Sequence, residues 1–246
     1  MKAEELDKAG WKYCDDVIDG TIPAGELIIA ACKRARAQLL DPTLTYDPIK
    51  AVKPAQFAGY LRHLKGPLAG EPVTLEPWQI FMITQIYGWI REDGRRLVRS
   101  VYIEVPRKNG KSTLCSVLAL YHLLADGEAS AEVYSSAITR DQARIVFGDA
   151  QAMTRGSPQL NKHLGVQRSS IFHTKSNSKF EPLSSDAGTL EGKNPSFSVV
   201  DELHTHKTSD VWDVLNVASG ARAQPIIFGI TTAGTNREGI AYQLRV

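Results

Sequence analysis

Residues 105–113 read VPRKNGKST. They nearly satisfy the phosphate-binding pattern G-x-x-x-x-G-K-[ST], with Val105 in the place of the first glycine and Arg107 inside the loop. The flanks decide how the stretch is read. RRLVRSVYIEV, residues 95–105, has a strand pattern, and KSTLCSVLALYHLLADG, residues 111–127, is apolar nearly all round and reads as a helix ending near Gly127. Strand, loop and helix in that order are the context a phosphate loop requires. In such a loop the backbone N–H groups of Lys108, Asn109, Gly110 and Lys111 face a β-phosphate at a helix N-terminus, whose dipole favours anions. Lys111 reaches the β- and γ-phosphates, the Ser112 hydroxyl binds Mg²⁺, and Gly110 stays small because phosphate approaches the backbone there. Thr113, next in the helix, is read as nucleotide-binding with them. The competing reading of the tripeptide alone is an ordinary surface turn.

A second motif raises the weight of the first. FSVVDE, residues 197–202, is an apolar strand ending in Asp201 and Glu202, about ninety residues after the loop. Paired acids at a strand end make chemical sense when one holds the Mg²⁺ shell and its neighbour polarises an attacking water. The alternative is a strand that happens to finish in two solvated carboxylates. Two further signals flank the pair. In LEPWQIFMITQIYGW, residues 75–89, Trp78 and Gln79 open an amphipathic helix, where the Gln79 amide suits an adenine edge and its two hydrogen bonds. Otherwise Trp78 is core and Gln79 solvated. GITTAGTN, residues 229–236, places Thr231 and Thr232 at the end of another apolar strand, suited to sensing a γ-phosphate or the water.

Strand and helix signals alternate from residue 76 onward, the signature of a mostly parallel sheet flanked by helices. AEVYSSAI is a strand, followed by a helix that Thr139 caps with Gln142 in a capping box. SIFHTKSNSKFEPLS reads as a hairpin turning at Asn177, and PIIFGITT as a strand. Upstream, residues 23–40 place Leu27, Ile28, Ala31, Cys32, Ala35 and Leu39 on one helical face. Lys33, Arg34 and Arg36 fall mainly opposite, as a solvated face or a patch for DNA or a partner. Residues 41–55, with Pro42, Pro48 and Pro54, read as an irregular connector. The expected organisation is a helical region over residues 1–70 and a nucleotide-binding core over residues 71–246.

Composition excludes more than it assigns. The chain of 246 residues is 43% hydrophobic and 23% charged with a formal net charge of +2, so any nucleic-acid surface must come from local clustering. Cys14, Cys32 and Cys115 show no disulfide or zinc spacing, which fits a reducing compartment. No stretch is long and apolar enough for a membrane span, so no membrane partner is expected. His204 and His206 flank Thr205, an H-x-H pair without a third ligand and therefore read as solvated. Arg140 and Arg144 lie four apart beside Asp141, either salt-bridged in solvent or offered to a neighbour's nucleotide.

Taken together, VPRKNGKST, FSVVDELH and GITTAGTN, with LEPWQ upstream and DAGTLEGKNPS just before the acids, resemble the large terminase subunit of tailed double-stranded DNA phages. The resemblance covers most of residues 55–246. Large terminases are ATPases that drive viral genome packaging, and their phosphate loop commonly lacks its first glycine and carries an arginine near its start, where Arg107 stands. The likeness implies an α/β P-loop NTPase of the additional-strand, catalytic-glutamate type. By it Arg107 stabilises charge within the subunit, Lys111 and Ser112 hold phosphate and Mg²⁺, Asp201 joins the Mg²⁺ shell, and Glu202 is the catalytic carboxylate. Thr231, Thr232 and Gly234 match a coupling motif linking hydrolysis to movement. An activating arginine from an adjacent subunit is left open among Arg140, Arg144 and Arg222.

The same likeness implies ATP and Mg²⁺ as cofactors. It implies as partners double-stranded DNA, a portal protein, a small terminase subunit and further copies of the chain in a ring on the portal. The corresponding location is the host cytoplasm and, transiently, the procapsid portal vertex. Large terminases usually continue into a nuclease domain, which is not expected within these residues. Two rivals stand beside this reading: a helicase-like translocase, since DELH also fits a D-E-x-H box, and a nucleotide-binding module that does not hydrolyse.

Overall fold

A computed structural model of the chain describes residues 2–183 and 192–246, and of Arg140 the backbone only. The first six residues of DAGTLEGKNPS, 186–191, lie outside the described residues. The chain divides into two compact units, residues 1–59 with 72–98 and residues 60–71 with 99–246. This division is discontinuous, unlike the single break after residue 70 expected above.

The first unit is built on α1 (Ala3–Ile18), α2 (Glu26–Gln38), β1 (Leu44–Tyr46), α3 (Pro48–Ala58), α4 (Pro77–Tyr87) and β2 (Trp89–Arg91). Helices α1, α3 and α4 pack on one another, which draws α4 into this unit. Two expectations need correction here. Residues 41–55 were expected as irregular connector, but from Pro48 onward they belong to α3: Asp47 caps its start by accepting from the Ile49 and Lys50 N–H groups, and Pro48 occupies the first turn, where a missing N–H costs nothing. Pro54 is accommodated inside the helix. On α2, Leu27, Ile28 and Leu39 are exposed, and the line facing inward runs through half-buried Ile29 and buried Cys32 and Ala35 against Cys14, Val17 and Phe81. Arg36 is not a free basic group: it lies over the Trp11 ring and forks onto Asp15.

The second unit carries β3 (Ser100–Glu104), α5 (Lys111–Leu124), β4 (Glu132–Ser136), α6 (Arg140–Gly156), α7 (Pro158–Asn161), β5 (Gly165–Val166), β6 (Ile171–His173), β7 (Ser178–Leu183), β8 (Phe197–Asp201), α8 (Asp210–Ala218), β9 (Ile226–Thr231) and α9 (Ile240–Arg245). Among the described residues seven strands form one sheet in the order β3-β9-β8-β4-β7-β6-β5. Neighbours from β3 through β7 are parallel, and β6 and β5 add an antiparallel edge. Parallel pairing demands crossovers and cover on both faces, which is why β8 and β9 are buried along their whole length. The hairpin expected at Asn177 is present, with Asn177 in the left-handed conformation at φ 52. So is the Thr139–Gln142 capping box that starts α6.

One feature of the strand order decides the type of sheet. The strand that feeds the loop, β3, is separated from the strand that ends in the acids, β8, by the inserted β9. Registers Glu104↔Thr231 and Asp201↔Ile230 bring the ends of all three strands to one edge of the sheet. The fold is an α/β P-loop fold with the additional strand in place, and ligands in such sheets bind at the carboxyl edge.

Candidate active site

The turn from β3 into α5 is made by backbone conformations that its sequence anticipates. Gly110 caps α5 at φ 71 and ψ 19, in the left-handed region where only glycine sits without cost, and Lys108 also has positive φ, at 67. Asn109 braces the loop from within, its side-chain amide donating to the carbonyls of Pro106 and Arg107 at 3.2 Å each. Lys111 Nζ donates to the Val105 carbonyl at 3.3 Å, folding the ammonium back over the loop. Arg107 is exposed, while Ser112 and Thr113 are half-buried in the first turn of α5. That turn is anchored by Ser116, whose hydroxyl lies 2.8 Å from the Ser112 carbonyl and 2.9 Å from the Val146 carbonyl on α6.

At the end of β8 the two acids occupy opposite environments. Asp201 is only 7% exposed, and burial first of all pushes its carboxyl up to about 6. The negative charge of Glu202 adds to the rise, whereas the Glu202 N–H, donating at 2.8 Å, and the Lys111 ammonium oppose it. Glu202 leaves the strand in the left-handed region, φ 50 and ψ 44, uncommon for a residue with a side chain. Its carbonyl accepts from the Thr205 N–H at 2.9 Å and the Thr205 hydroxyl at 2.6 Å, which holds the turn against that strain. One carboxylate thus lies in the protein and its neighbour, about a third exposed, faces outward. Cys115, fully buried on α5, feels both Asp201 and Lys111, and burial holds its thiol well above its ordinary value.

The β9 end completes the edge. Thr231 and Thr232 are buried, and Thr231 Oγ1 accepts from the His204 N–H at 2.9 Å, lies 2.7 Å from His204 Nδ1, and donates to the Thr232 carbonyl at 3.0 Å. Gly234 packs against the same histidine: a Cβ there would stand 2.7 Å from His204 Cβ. The reading of the two histidines as solvated is therefore corrected. His204 is half-buried in a hydrogen-bond network, and His206 is buried, its pKa lowered by that burial and then by His204.

The remaining expected residues belong to other elements. Trp78 and Gln79 belong to the first unit, where Gln79 is buried and its side-chain oxygen accepts from the Glu76 N–H at 2.9 Å, a capping role for α4 that sequence reading did not anticipate. Arg222 donates to the carbonyls of Asn194, Ala129 and Ser130 at 2.8 to 2.9 Å, beside Glu128 and Glu132, at the end of β4 and β8 opposite the loop. Arg144 stays on the α6 surface, 4.0 Å from Asp141.

The donor set suits a small hard cation. A buried carboxylate, Asp201, and a hydroxyl, Ser112, are oxygen ligands of the kind Mg²⁺ takes in ones and twos, leaving the rest of its shell to phosphate and water. Among the described residues no group of three or more His, Cys, Asp or Glu side chains is gathered for a metal, and no helix is long and apolar enough to cross a membrane.

The chain is 28% identical over 177 residues to "Terminase, large subunit" of Enterobacteria phage HK97, covering 70% of this chain and 34% of that protein. It is 27% identical over 164 residues to the terminase large subunit of Lactococcus phage p2, covering 63% and 30%. It thus spans about a third of the length of these relatives. The crystal structure of the HK97 bacteriophage large terminase superposes with a TM-score of 0.67 at 24% identity, over 78% of this chain and 39% of that one. The family model described as "Terminase large subunit, ATPase domain" matches residues 77–246, well over half of the chain, and the chain belongs to that family.

Proposed function

We propose that this chain is the ATP-hydrolysing motor of a terminase, moving double-stranded DNA into a procapsid from a ring of copies on the portal, in concert with a small terminase subunit. The observation that carries the chemistry is the acid pair: Asp201 buried and Glu202 turned outward, at the edge where the phosphate loop also ends. In this reading the loop amides and Lys111 bind the β- and γ-phosphates, and Lys111 exchanges the Val105 carbonyl for phosphate oxygen. Ser112 and Asp201 hold Mg²⁺, which when bound neutralises phosphate charge. Glu202 orients a water in line with the γ-phosphorus and accepts its proton. The new oxygen–phosphorus bond forms as the bond to the β–γ bridging oxygen breaks, and the electron pair leaves with ADP. Arg107, exposed at the loop's start, meets the charge that develops on the departing oxygens.

The test is ATP affinity by calorimetry beside phosphate release, for the unmodified chain and for Glu202→Gln. That substitution keeps size and hydrogen bonding and removes the charge. Binding within about twofold and turnover lower by ~10²-fold or more is the expected result, the usual scale for losing a positioned base. Equal turnover in the two proteins refutes the assignment, and ATP binding with no turnover in either leaves the non-hydrolysing module as the function.

A further inference from the structure

We infer that His204 is a positioning residue that ties the carboxylate of Glu202 to the end of β9, so that Glu202 and the Thr231–Gly234 segment move as one unit. The inference rests on the ATPase reading above, and deepens it by giving a job to a residue that the phosphate loop and acid pair leave unassigned.

Three contacts converge on this imidazole. Its Nδ1 lies 2.7 Å from Thr231 Oγ1 and 3.3 Å from Glu202 Oε2, and its backbone N–H donates to the same Thr231 oxygen at 2.9 Å. The Thr231 hydroxyl has one proton, and it goes to the Thr232 carbonyl at 3.0 Å. The two acceptor positions of Thr231 Oγ1 are then filled by the His204 backbone N–H and by Nδ1–H. The arrangement assigns the proton to Nδ1, which presents it to Thr231, with the Glu202 carboxylate 3.3 Å away. A carboxylate on a left-handed turn has few restraints of its own, and this imidazole stands 3.3 Å from it. Gly234 closes the arrangement from the other side. Its missing side chain lets the segment after β9 rest directly on His204 Cβ.

Such an arrangement transmits displacement in both directions. When Glu202 takes its place beside a water at the γ-phosphate, the imidazole stays with it and passes the shift to Thr231 through the 2.7 Å contact. When the segment after β9 shifts, the imidazole carries Glu202 out of line, and a displacement of about 1 Å at a reacting group is enough to cost ~10²-fold in rate.

The experiment compares His204→Ala, His204→Asn and His204→Gln in the full chain. Asparagine places an amide N–H where Nδ1–H stands, whereas glutamine places one nearer the Nε2 position. Expected for His204→Ala are a kcat lower by ~10-fold or more, with KM, ATP affinity and melting midpoint little changed. Asparagine restores most of the rate and glutamine does not. Unchanged kcat in His204→Ala, equal behaviour of asparagine and glutamine, or affinity falling together with rate overturns the proposal. A second readout does not depend on turnover. Imidazole ¹⁵N shifts of the unmodified chain should show the Nδ1–H tautomer at His204 and lose it in Thr231→Val; an Nε2–H tautomer refutes the network even if the ATPase reading stands. Conversely, a correct tautomer in a chain that hydrolyses nothing refutes the ATPase reading and spares the contact.

Discussion

Val105 N–H donates to the Thr231 carbonyl at 2.9 Å, so the strand that enters the phosphate loop and the strand that ends at Thr231 stay bonded at the residue where each leaves the sheet. The other side of the same residue, its carbonyl, accepts from Lys111 Nζ at 3.3 Å. Val105 occupies the position of the missing first glycine. It serves as a strand-end anchor and needs no left-handed backbone, since the positive φ angles fall at Lys108 and Gly110.

The Lys111 contact is long, neutral on one side and half-buried, so Lys111→Ala should cost the fold little, within about 0.5 kcal/mol. Its loss should matter for nucleotide. Removing a charged donor from phosphate costs about 1.5–3 kcal/mol, or roughly 10- to 100-fold in ATP affinity. Denaturation midpoints and calorimetry measured on one preparation separate the two effects. Tight ATP binding by Lys111→Ala would show that the ammonium stays on Val105.

Arg222 should behave as a structural residue, and Arg144 should not. Three carbonyls and two acids surround the Arg222 guanidinium, and its side chain is 10% exposed. Arg222→Ala strands those carbonyls and should lower stability by roughly 2–4 kcal/mol. Arg144→Ala, on an exposed helix face, should leave the melting midpoint in place. If Arg144 completes a neighbour's site, its loss removes the rise in ATPase rate with protein concentration, since such an arginine is worth ~10³–10⁵ in turnover. A chain equally active at every dilution has no shared site.

The α/β architecture is legible in the sequence because it rests on local pattern: uninterrupted apolar strands, a glycine at the loop, and the capping box at Thr139. The loop and the acid pair are legible for the same reason, being contiguous. What escaped reading was non-local. The inward position of Ile29 in place of Leu27 on α2 depends on α1 supplying small partners such as Cys14. The roles of His204 and Arg222 depend on groups 27 and 92 residues away. α3 carries a local signal too, an Asp followed by Pro at the first helical position, which the Pro54 inside the helix obscures.

Stability should depend on pH through Asp201 in a direction opposite to that of most carboxylates. The folded chain holds this proton more tightly than the unfolded chain, in which the carboxyl titrates near 3.8. Below that value both states are protonated and the contribution of Asp201 to stability is fully present. As pH rises through about 6 the folded protein must ionise a desolvated group, and the contribution is lost. A displacement from 3.8 to about 6 corresponds to roughly 3 kcal/mol. Asp201→Asn keeps an oxygen to accept from the Glu202 N–H and has no charge to bury. In EDTA and without nucleotide, it should be more stable than the unmodified chain above about pH 7, by up to that amount, with the gap closing toward about pH 4. Added Mg²⁺ and ATP should reverse the order, because they stabilise the protein that has the carboxylate and have less to hold in the variant. Urea midpoints across this pH range, with and without Mg²⁺ and ATP, decide it. Parallel curves for the two proteins would mean that Asp201 is solvated, and its assignment to the cation would fall with its burial.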